Sequence, residues 1–313
     1  MTCPDGVGEA LAAFAPAVPG LGSLGVTRPP HAAVACVFMV DDRYVLRGRA
    51  DVPGVAADLD AETALIDRVR GLLPWRLPDL VRLPSGASLV RAGGMAWTLY
   101  PALPGRILWP WQTLHRAPEA DRRRLVETLR ALHDRTRGRL GPGDPGRLCR
   151  DLARRLPEVR ALLSPAAAGQ VDAALERAAR AATQRTDADL AFVHGDFHWG
   201  NVLADDRGEP TGLLDLDWCR VAAPVEDLGY LAMMLVRSDP RDGPHRPDDL
   251  RRIGAWYGLD PREAGDFADH VLLYAAFDVH LFGHAAGLAD RDRWVGLQIG
   301  LVEAECRNSP QAR

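Results

Sequence analysis

Apolar and polar residues form short alternating runs through the first third of the chain, a pattern that predicts mainly strands. A nearly continuous apolar run, 32–40, precedes the Asp41-Asp42 turn and a second run, 44–49, and together they predict a β-hairpin. Arg47 and Arg49 lie on one face of the second strand, because side chains alternate between the two faces of a strand.

The next segment, 58–73, has apolar side chains at helical spacing and predicts a helix with Asp58 as its N-cap. Glu62 lies in the middle of the apolar stripe of this helix, where a carboxylate is costly unless it meets a cation. Arg47 and Arg49 on the preceding strand are its natural partners. The pair is then either functional or a salt bridge of purely structural value.

A Pro- and Gly-rich break at 100–105 separates a strand-like part of the chain from a helical part. Two more strand-like segments within 81–100 precede the break, so we place the boundary between a first lobe, 1–102, and a second lobe, 103–313, at this hinge. Apolar residues then recur at helical spacing in 120–139, 148–163, 165–185, 225–236, 248–257, 262–283 and 293–306. This order predicts an α+β fold with a small β-rich N-lobe and a large, mainly helical C-lobe.

The segment 190–218 interrupts the helices with short strands. Apolar runs at 190–193, 201–204 and 212–216 predict three strands, and turn residues at 205–208 join the last two. Polar side chains crowd onto this hairpin, at His194, Asp196, His198, Asn201, Asp215 and Asp217. Since Asp215 and Asp217 are two residues apart on one predicted strand, we expect both carboxylates on the same face.

The spacing of these polar residues indicates a chemistry. An H-x-D sequence ending at Asp196, then Asn201, then Asp215 at the end of a strand follows the order of a kinase catalytic loop and its magnesium-binding aspartate. Phosphoryl transfer needs one carboxylate to orient and deprotonate the acceptor hydroxyl, and oxygen ligands for magnesium. Asp196 fits the first role, and Asn201 and Asp215 fit the second.

Two segments of the sequence resemble a known family. HGDFHWGNVL at 194–203 and GLLDLDWCRVAAPVEDLGYL at 212–231 resemble the aminoglycoside phosphotransferase and choline kinase superfamily, whose pattern is HGDxHxxNxL, an I-D-W or I-D-F-D strand and a D-L-A helix start. By order of elements the resemblance covers roughly 30–300. It implies a protein-kinase-like fold, ATP and Mg²⁺ as cofactors, and phosphorylation of a small-molecule hydroxyl.

The resemblance also implies roles for residues around the cleft. Arg47 matches the strand lysine that a protein kinase pairs with a helix glutamate, here Glu62, across the ATP phosphates. Backbone groups near Leu99 and Tyr100 are implied to hold the adenine. Glycines often cover the phosphates in relatives, but Pro29-Pro30-His31 stands at that place here.

Within the polar segment, the family pattern makes Asp215 the direct magnesium ligand and leaves Asp217 as a further ligand, a neighbour of the metal site or a solvated residue. His198 stands where protein kinases have a phosphate-binding lysine, so it either contacts the γ-phosphate during catalysis or braces the loop. His194 and Asp227 are implied to support the loop.

Composition narrows the partners. The 313 residues carry a formal net charge of −4, and all 38 cationic residues are arginine, so any role of lysine in a kinase falls here to a guanidinium. We expect neither a nucleic-acid nor a membrane partner, and a monomer or a homodimer. Five scattered cysteines, without a C-x-x-C pair, fit a reducing cytoplasm. Acids outnumber arginines between 217 and 293, which permits a cationic acceptor, although a solvated face explains the excess more simply.

Two other functions remain open. A metal-dependent hydrolase would use the H-x-D-x-H residues His194, Asp196 and His198 as ligands on one strand face. A pseudokinase or nucleotide-binding module would explain the absent Gly-rich loop and the arginine in place of lysine. If the protein is a kinase, its acceptor is an aminoglycoside-like antibiotic, an amino alcohol, homoserine or another metabolite, and the antibiotic would make it a resistance enzyme.

Overall fold

The computed structural model describes residues 6–21, 24–29, 36–110, 117–236, 248–260 and 263–284. The strands of the first lobe are β1 (Val26–Thr27), β2 (Cys36–Val40), β3 (Tyr44–Ala50), β4 (Val90–Ala92) and β5 (Met95–Pro101). They form one antiparallel sheet in the order β1-β2-β3-β5-β4. β3 lies in the centre and pairs with β5 from Tyr44 opposite Pro101 to Ala50 opposite Met95.

The predicted β2-β3 hairpin is present. Asp41 and Asp42 in its turn have φ of 52° and 53°, a left-handed conformation that the short polar side chain of aspartate tolerates well. Residues 30–35, which include the start of the predicted apolar run and part of Pro29-Pro30-His31, lie outside the described residues.

Two helices accompany this sheet, α1 (Val7–Phe14) and α2 (Val55–Arg70). Phe14 of α1 is fully buried in one core with Trp97 and Leu99 of β5. α2 begins at Val55 instead of after the predicted N-cap, Asp58, because Gly54, with φ 95°, turns the chain into the helix four residues earlier. Asp58 lies in the first turn, where its carboxylate faces the positive end of the helix dipole.

The second lobe is mainly helical. Its helices are α3 (Glu119–Thr136), α4 (Arg147–Arg160), α5 (Pro165–Thr183), α6 (Pro224–Val236), α7 (Asp248–Tyr257) and α8 (Ala264–His284). Its strands are β6 (Arg106–Ile107), β7 (Ala191–Val193), β8 (Val202–Ala204), β9 (Pro210–Leu213) and β10 (Arg220–Ala222). β6, β8 and β9 form one small sheet, and β7 pairs with β10. α8 packs against α4, α5 and α6, and this packing buries the larger hydrophobic core.

The strand predicted for 212–216 ends at Leu213. Asp215 has φ 56°, a left-handed conformation that ends the extended backbone. The helix predicted at 293–306 lies outside the described residues. Within the described part of the chain, no helix combines the length and apolar character that a membrane span requires.

Candidate active site

A cavity of about 760 Å³ lies between the two lobes. The first lobe lines it with residues of β2, β3, β5 and α2, and the second lobe lines it with α4, α6, α8 and the segment 194–201, which we name the central loop. Among the residues predicted for the site, those lining the cavity are Arg47, Arg49, Glu62, Tyr100, Asp196, His198, Asn201, Asp215 and Asp217. The fold therefore brings residues from widely separated parts of the sequence to one place.

Asp227 of α6 fixes the start of the central loop. Its Oδ2 accepts a hydrogen bond from the backbone N–H of His194, and its Oδ1 accepts one from Gly195, both at 2.7 Å. The Nε2 atom of His133 lies 3.3 Å from the same Oδ2. Burial alone would raise the pKa of the Asp227 carboxyl, but the contacts with His133, His194 and Gly195 outweigh burial and lower it.

Gly195 is required for the shape of the loop. It has φ 84°, and a Cβ at this position would lie 2.6 Å from the backbone oxygen of Trp218. Only a glycine lets the loop pass this close to the segment after Asp217.

Asp196 is held from two sides with its carboxylate facing the cavity. The Nδ2 atom of Asn201 donates to its Oδ2 at 2.9 Å, and the Tyr230 hydroxyl donates to its Oδ1. Burial raises the pKa of Asp196, but the neighbouring His198 and the hydrogen bonds from His198 and Tyr230 outweigh it, so the pKa is lowered. Asp196 is therefore an ionised acceptor at neutral pH, and its side chain stays 25% exposed.

His198 contacts both Asp196 and its own loop. Its Nδ1 accepts a hydrogen bond from the N–H of Gly200 at 2.9 Å, and its Nε2 lies 3.4 Å from Oδ1 of Asp196. The side chain thus caps the short 3₁₀ turn Trp199–Asn201. This geometry matches the bracing role that was one of the two alternatives for His198.

His194 is buried and has both ring nitrogens engaged. Its Nε2 donates to the carbonyl oxygen of Leu214 at 2.9 Å, and its Nδ1 accepts from the N–H of Asp196 at 3.3 Å. The metal ligand set imagined for a hydrolase needs a free nitrogen on this ring. Among the described residues, no three histidine, cysteine or acidic side chains are grouped as such a site requires.

Asp215 and Asp217 face the same place for a reason that differs from the prediction. They do not share a strand, because β9 ends at Leu213, and the left-handed backbone of Asp215 redirects its side chain. Nη2 of Arg47 donates to Oδ1 of Asp215 at 2.7 Å and to Oδ2 of Asp217 at 2.6 Å. The two carboxylates therefore converge on one cationic group that reaches them from β3.

The predicted pairing of Arg47 with Glu62 is wrong. Arg49 makes this contact, with its Nη2 donating to Oε1 of Glu62 at 3.0 Å and also bonding Asp217. Both arginines face the cleft, as the alternation predicts. Arg47 is occupied by two carboxylates of the second lobe, so the guanidinium two residues further along β3 meets α2.

The two residues predicted near the adenine separate in the structure. Tyr100 lines the cavity, together with Pro101 and Leu103. Leu99 is fully buried in the core of the first lobe, and its carbonyl oxygen accepts a hydrogen bond from the N–H of Val81 at 2.8 Å. Of the two residues, Tyr100 is therefore the one that lies at the cavity.

Tyr230 is a site residue that the sequence reasoning missed. It lies three residues after Asp227 on α6, and positions i and i+3 of a helix share a face. The signal was therefore present, since a helix whose Asp227 supports the loop also directs residue 230 toward it. Trp109 and Trp256 pack against the core of the second lobe.

Solved structures with the same overall arrangement include several phosphotransferases. The GDP complex of aminoglycoside 2'-phosphotransferase-IIIa aligns with a TM-score of 0.66 and 16% identity over 96% of this chain and 98% of the other. The GDP and kanamycin complex of APH(2")-IIia gives a TM-score of 0.67 and 16% identity over 96% and 99% of the two chains. Macrolide 2'-phosphotransferase type I gives 0.56 and 19% over 94% and 95%. At these identities the likeness establishes the protein-kinase-like fold.

A sequence comparison with curated proteins found no match. The model of the phosphotransferase enzyme family matches residues 27–268, which include β3 and its arginines, the central loop, Asp215 and Asp217, and α6. Because this match spans most of the sequence, the chain belongs to the phosphotransferase enzyme family.

Proposed function

We propose that the protein transfers the γ-phosphoryl group of ATP to a hydroxyl group of a small molecule. The observation that carries the proposal is the Asp196 carboxylate, ionised and exposed to the cavity that also holds Asp215, Asp217 and two arginines. A carboxylate fixed in this way can orient an acceptor hydroxyl and take its proton. Family membership supports the same chemistry.

The bonds formed and broken in the transfer are as follows. The acceptor oxygen forms a bond to the γ-phosphorus, the bond from that phosphorus to the bridging oxygen breaks, and ADP leaves. Asp196 accepts the proton of the acceptor hydroxyl. Asn201 holds Asp196 in place through its amide nitrogen, which leaves the amide oxygen available for another partner.

Asp215, Asp217 and Asn201 are the residues that would hold Mg²⁺. Carboxylate and amide oxygens are the hard ligands that this ion prefers, and it commonly keeps several waters. The guanidinium of Arg47 already rests on Asp215 and Asp217, so the place favours positive charge. Bound magnesium would neutralise charge on the phosphates.

The remaining contacts suit a nucleotide. Arg47 and Arg49 can present forked N–H groups to phosphate oxygens, a role in which arginine binds bidentately. Tyr100, Pro101 and Leu103 form the hinge end of the cavity, where we place the adenine. We place the enzyme in the cytoplasm, where MgATP is abundant.

The decisive experiment is an acceptor screen with nucleotide. The purified protein is titrated with MgATP and MgGTP by calorimetry, and is then incubated with each nucleotide and a panel of hydroxyl compounds that includes kanamycin, amino alcohols, homoserine and sugars. We expect MgATP binding and one product whose mass has increased by one phosphate. A protein that binds neither nucleotide would contradict the proposal, and one that binds MgATP without transfer to any compound would favour the pseudokinase.

A further inference from the structure

The end of the cavity beyond Asp196 has an aromatic lining. Three second-lobe elements contribute the rings, the segment after Asp217 with Trp218, α6 with Tyr230 and α8 with Tyr274 and Phe277. We name these four residues the aromatic wall. Met234 and Leu148 add apolar surface beside it. Trp218 is 41% exposed, which is unusual for so large an apolar side chain.

The rings of the aromatic wall hold one another in place. Trp218 and Phe277 meet edge to face, with centroids 6.1 Å apart and planes at 86°. Tyr230 and Tyr274 meet in the same way at 5.3 Å and 70°. Such pairs favour a fixed geometry. The exposed face of Trp218 is therefore presented at the cavity by a supported ring.

The charged residues at this end are engaged with one another. Arg220 donates to Glu226 and, at 3.1 Å, to the hydroxyl of Tyr274. Arg147 lies 3.7 Å from Asp151. Asp278 adds one more carboxylate and is only 3% exposed. Glu226 and Asp151 thus have arginine partners and Asp278 is almost fully covered, so this end of the cavity, as far as the structure describes it, offers a ligand much ring surface.

Two of the acids in 217–293, whose excess had permitted a cationic acceptor, are paired with arginines from earlier in the chain. Asp269 is paired with Arg177, and Asp266 is paired with Arg185, both at N–O distances that indicate ion pairs. These arginines come from α5 and the turn after it, earlier in the chain. Asp266 and Asp269 therefore balance cations of the protein.

We infer that the acceptor is an alcohol with a largely apolar or aromatic body and at most one cationic group. The inference rests on the proposed function and specifies the substrate class of the same site. Several ammonium groups placed against the aromatic wall would lose their hydration without gaining matching carboxylates. An apolar body would instead cover Trp218 and Phe277 while its hydroxyl reaches Asp196 beside Tyr230.

The test compares three probes that differ in charge and apolar surface. Calorimetry on the full chain saturated with MgADP measures the affinity for kanamycin, a polycationic aminosugar, for a macrolide with one dimethylamino group, and for 2-phenylethanol, a neutral aromatic alcohol. We expect the macrolide or 2-phenylethanol to bind at least about tenfold more tightly than kanamycin, a factor that corresponds to about 1.4 kcal/mol.

Variants of the aromatic wall test whether the apolar probe contacts Trp218 directly. Trp218→Ala is expected to lower the affinity for the apolar probe by about tenfold or more. Trp218→Phe, which keeps a ring, should retain most of that affinity. Leu162→Ala is the matched control, because Leu162 is 48% exposed and does not line the cavity. Equal melting temperatures of the variants exclude misfolding as the cause.

The possible failures point to different conclusions. A protein that does not bind MgADP contradicts the proposed function itself. If MgADP binds but kanamycin is the tightest ligand, or neither apolar probe binds, the inference about the acceptor is overturned and the proposed function stands. Equal effects of Trp218→Ala and Leu162→Ala would also overturn it.

Discussion

The central loop and the arginine face of β3 lie on opposite sides of one cavity, and different kinds of contact hold them. The loop is fixed by hydrogen bonds within its own lobe, in which Asp227 accepts and Asn201 and Tyr230 donate. Arg47 and Arg49 are instead held by ion pairs that cross the cleft to Asp215 and Asp217. The loop is thus preorganised without nucleotide, whereas the arginine side depends on the partners present.

The carboxyl groups on the two sides of the cavity also differ in the direction in which their pKa values are shifted. The pKa values of Asp196 and Asp227 are lowered, because hydrogen bonds to the ionised carboxylates outweigh burial. The pKa values of Asp217 and Glu62 are raised, because burial outweighs the attraction of the arginines. We therefore expect the loop to keep its geometry when MgATP binds, and the ion pairs of Arg47 to rearrange as its carboxylates turn to the metal.

The largest expected effect comes from the loop. Asp196→Asn keeps the shape of the side chain but removes the proton acceptor, so turnover should fall by about 10²–10⁴, the usual contribution of a positioned base. MgATP affinity should remain near that of the wild type, because Asp215 and Asp217 are unchanged. Turnover and calorimetric MgATP affinity are the measurements.

Asp206→Asn is the matched control for this substitution, since Asp206 is an exposed aspartate of the β8-β9 turn, away from the cavity. A hydrolase with its metal on Asp196 would lose bound metal in Asp196→Asn. Wild-type turnover in that variant would refute the assignment of Asp196 as the base.

Substitution of the proposed magnesium ligands should lower the affinity for Mg²⁺. Asp215→Ala is expected to raise the Mg²⁺ concentration that half-saturates nucleotide binding by more than about tenfold, since changes around a metal site commonly cost this much. Because Asp215 has φ 56°, Asp215→Asn serves as a companion that tolerates the left-handed backbone. Undiminished magnesium-dependent binding in both variants, with a loss in Asp217→Ala, would transfer the ligand role to Asp217.

The pairing of Arg49 with Glu62 can be tested with a double-mutant cycle. Arg49→Ala and Glu62→Gln should show a coupling energy of about 0.5–3 kcal/mol in the free energy of unfolding, because the two side chains are in contact. Arg47→Ala and Glu62→Gln should show almost none. Chemical denaturation of the single and double variants gives both values. A larger coupling for Arg47 would restore the pairing that the family pattern implied.

Contacts between residues close together in the sequence could be predicted, whereas contacts between distant residues could not. Asp196 and Asn201 are five residues apart and bonded to each other, so their spacing carried the information. The partner of Glu62 depends on which of the two arginines is bound by Asp215 and Asp217. These aspartates lie 168 and 170 positions from Arg47 in the sequence. Local patterns placed both arginines on the correct face and could not choose between them.

The same reasoning explains the strand error. The apolar run through Leu216 favoured an extended segment. In the structure β9 ends at Leu213, and the Asp215 carboxylate lines the cavity. A single left-handed aspartate leaves no periodic signal in the sequence. The family pattern still indicated the residue, because it fixes the identity and order of the side chains without fixing the backbone.

The smallest expected effect concerns Tyr230, whose hydroxyl donates to Asp196. Tyr230→Phe removes this bond but leaves the bond from Asn201, so the carboxylate should keep its place and turnover should change by no more than about tenfold, equivalent to the roughly 0.5–1.5 kcal/mol of one hydrogen bond. MgATP affinity should not change. Tyr44→Phe is the control, since Tyr44 lies at the start of β3 and does not line the cavity. A loss in Tyr230→Phe as large as in Asp196→Asn, without one in Tyr44→Phe, would show that the bond from Asn201 does not by itself hold the carboxylate in place.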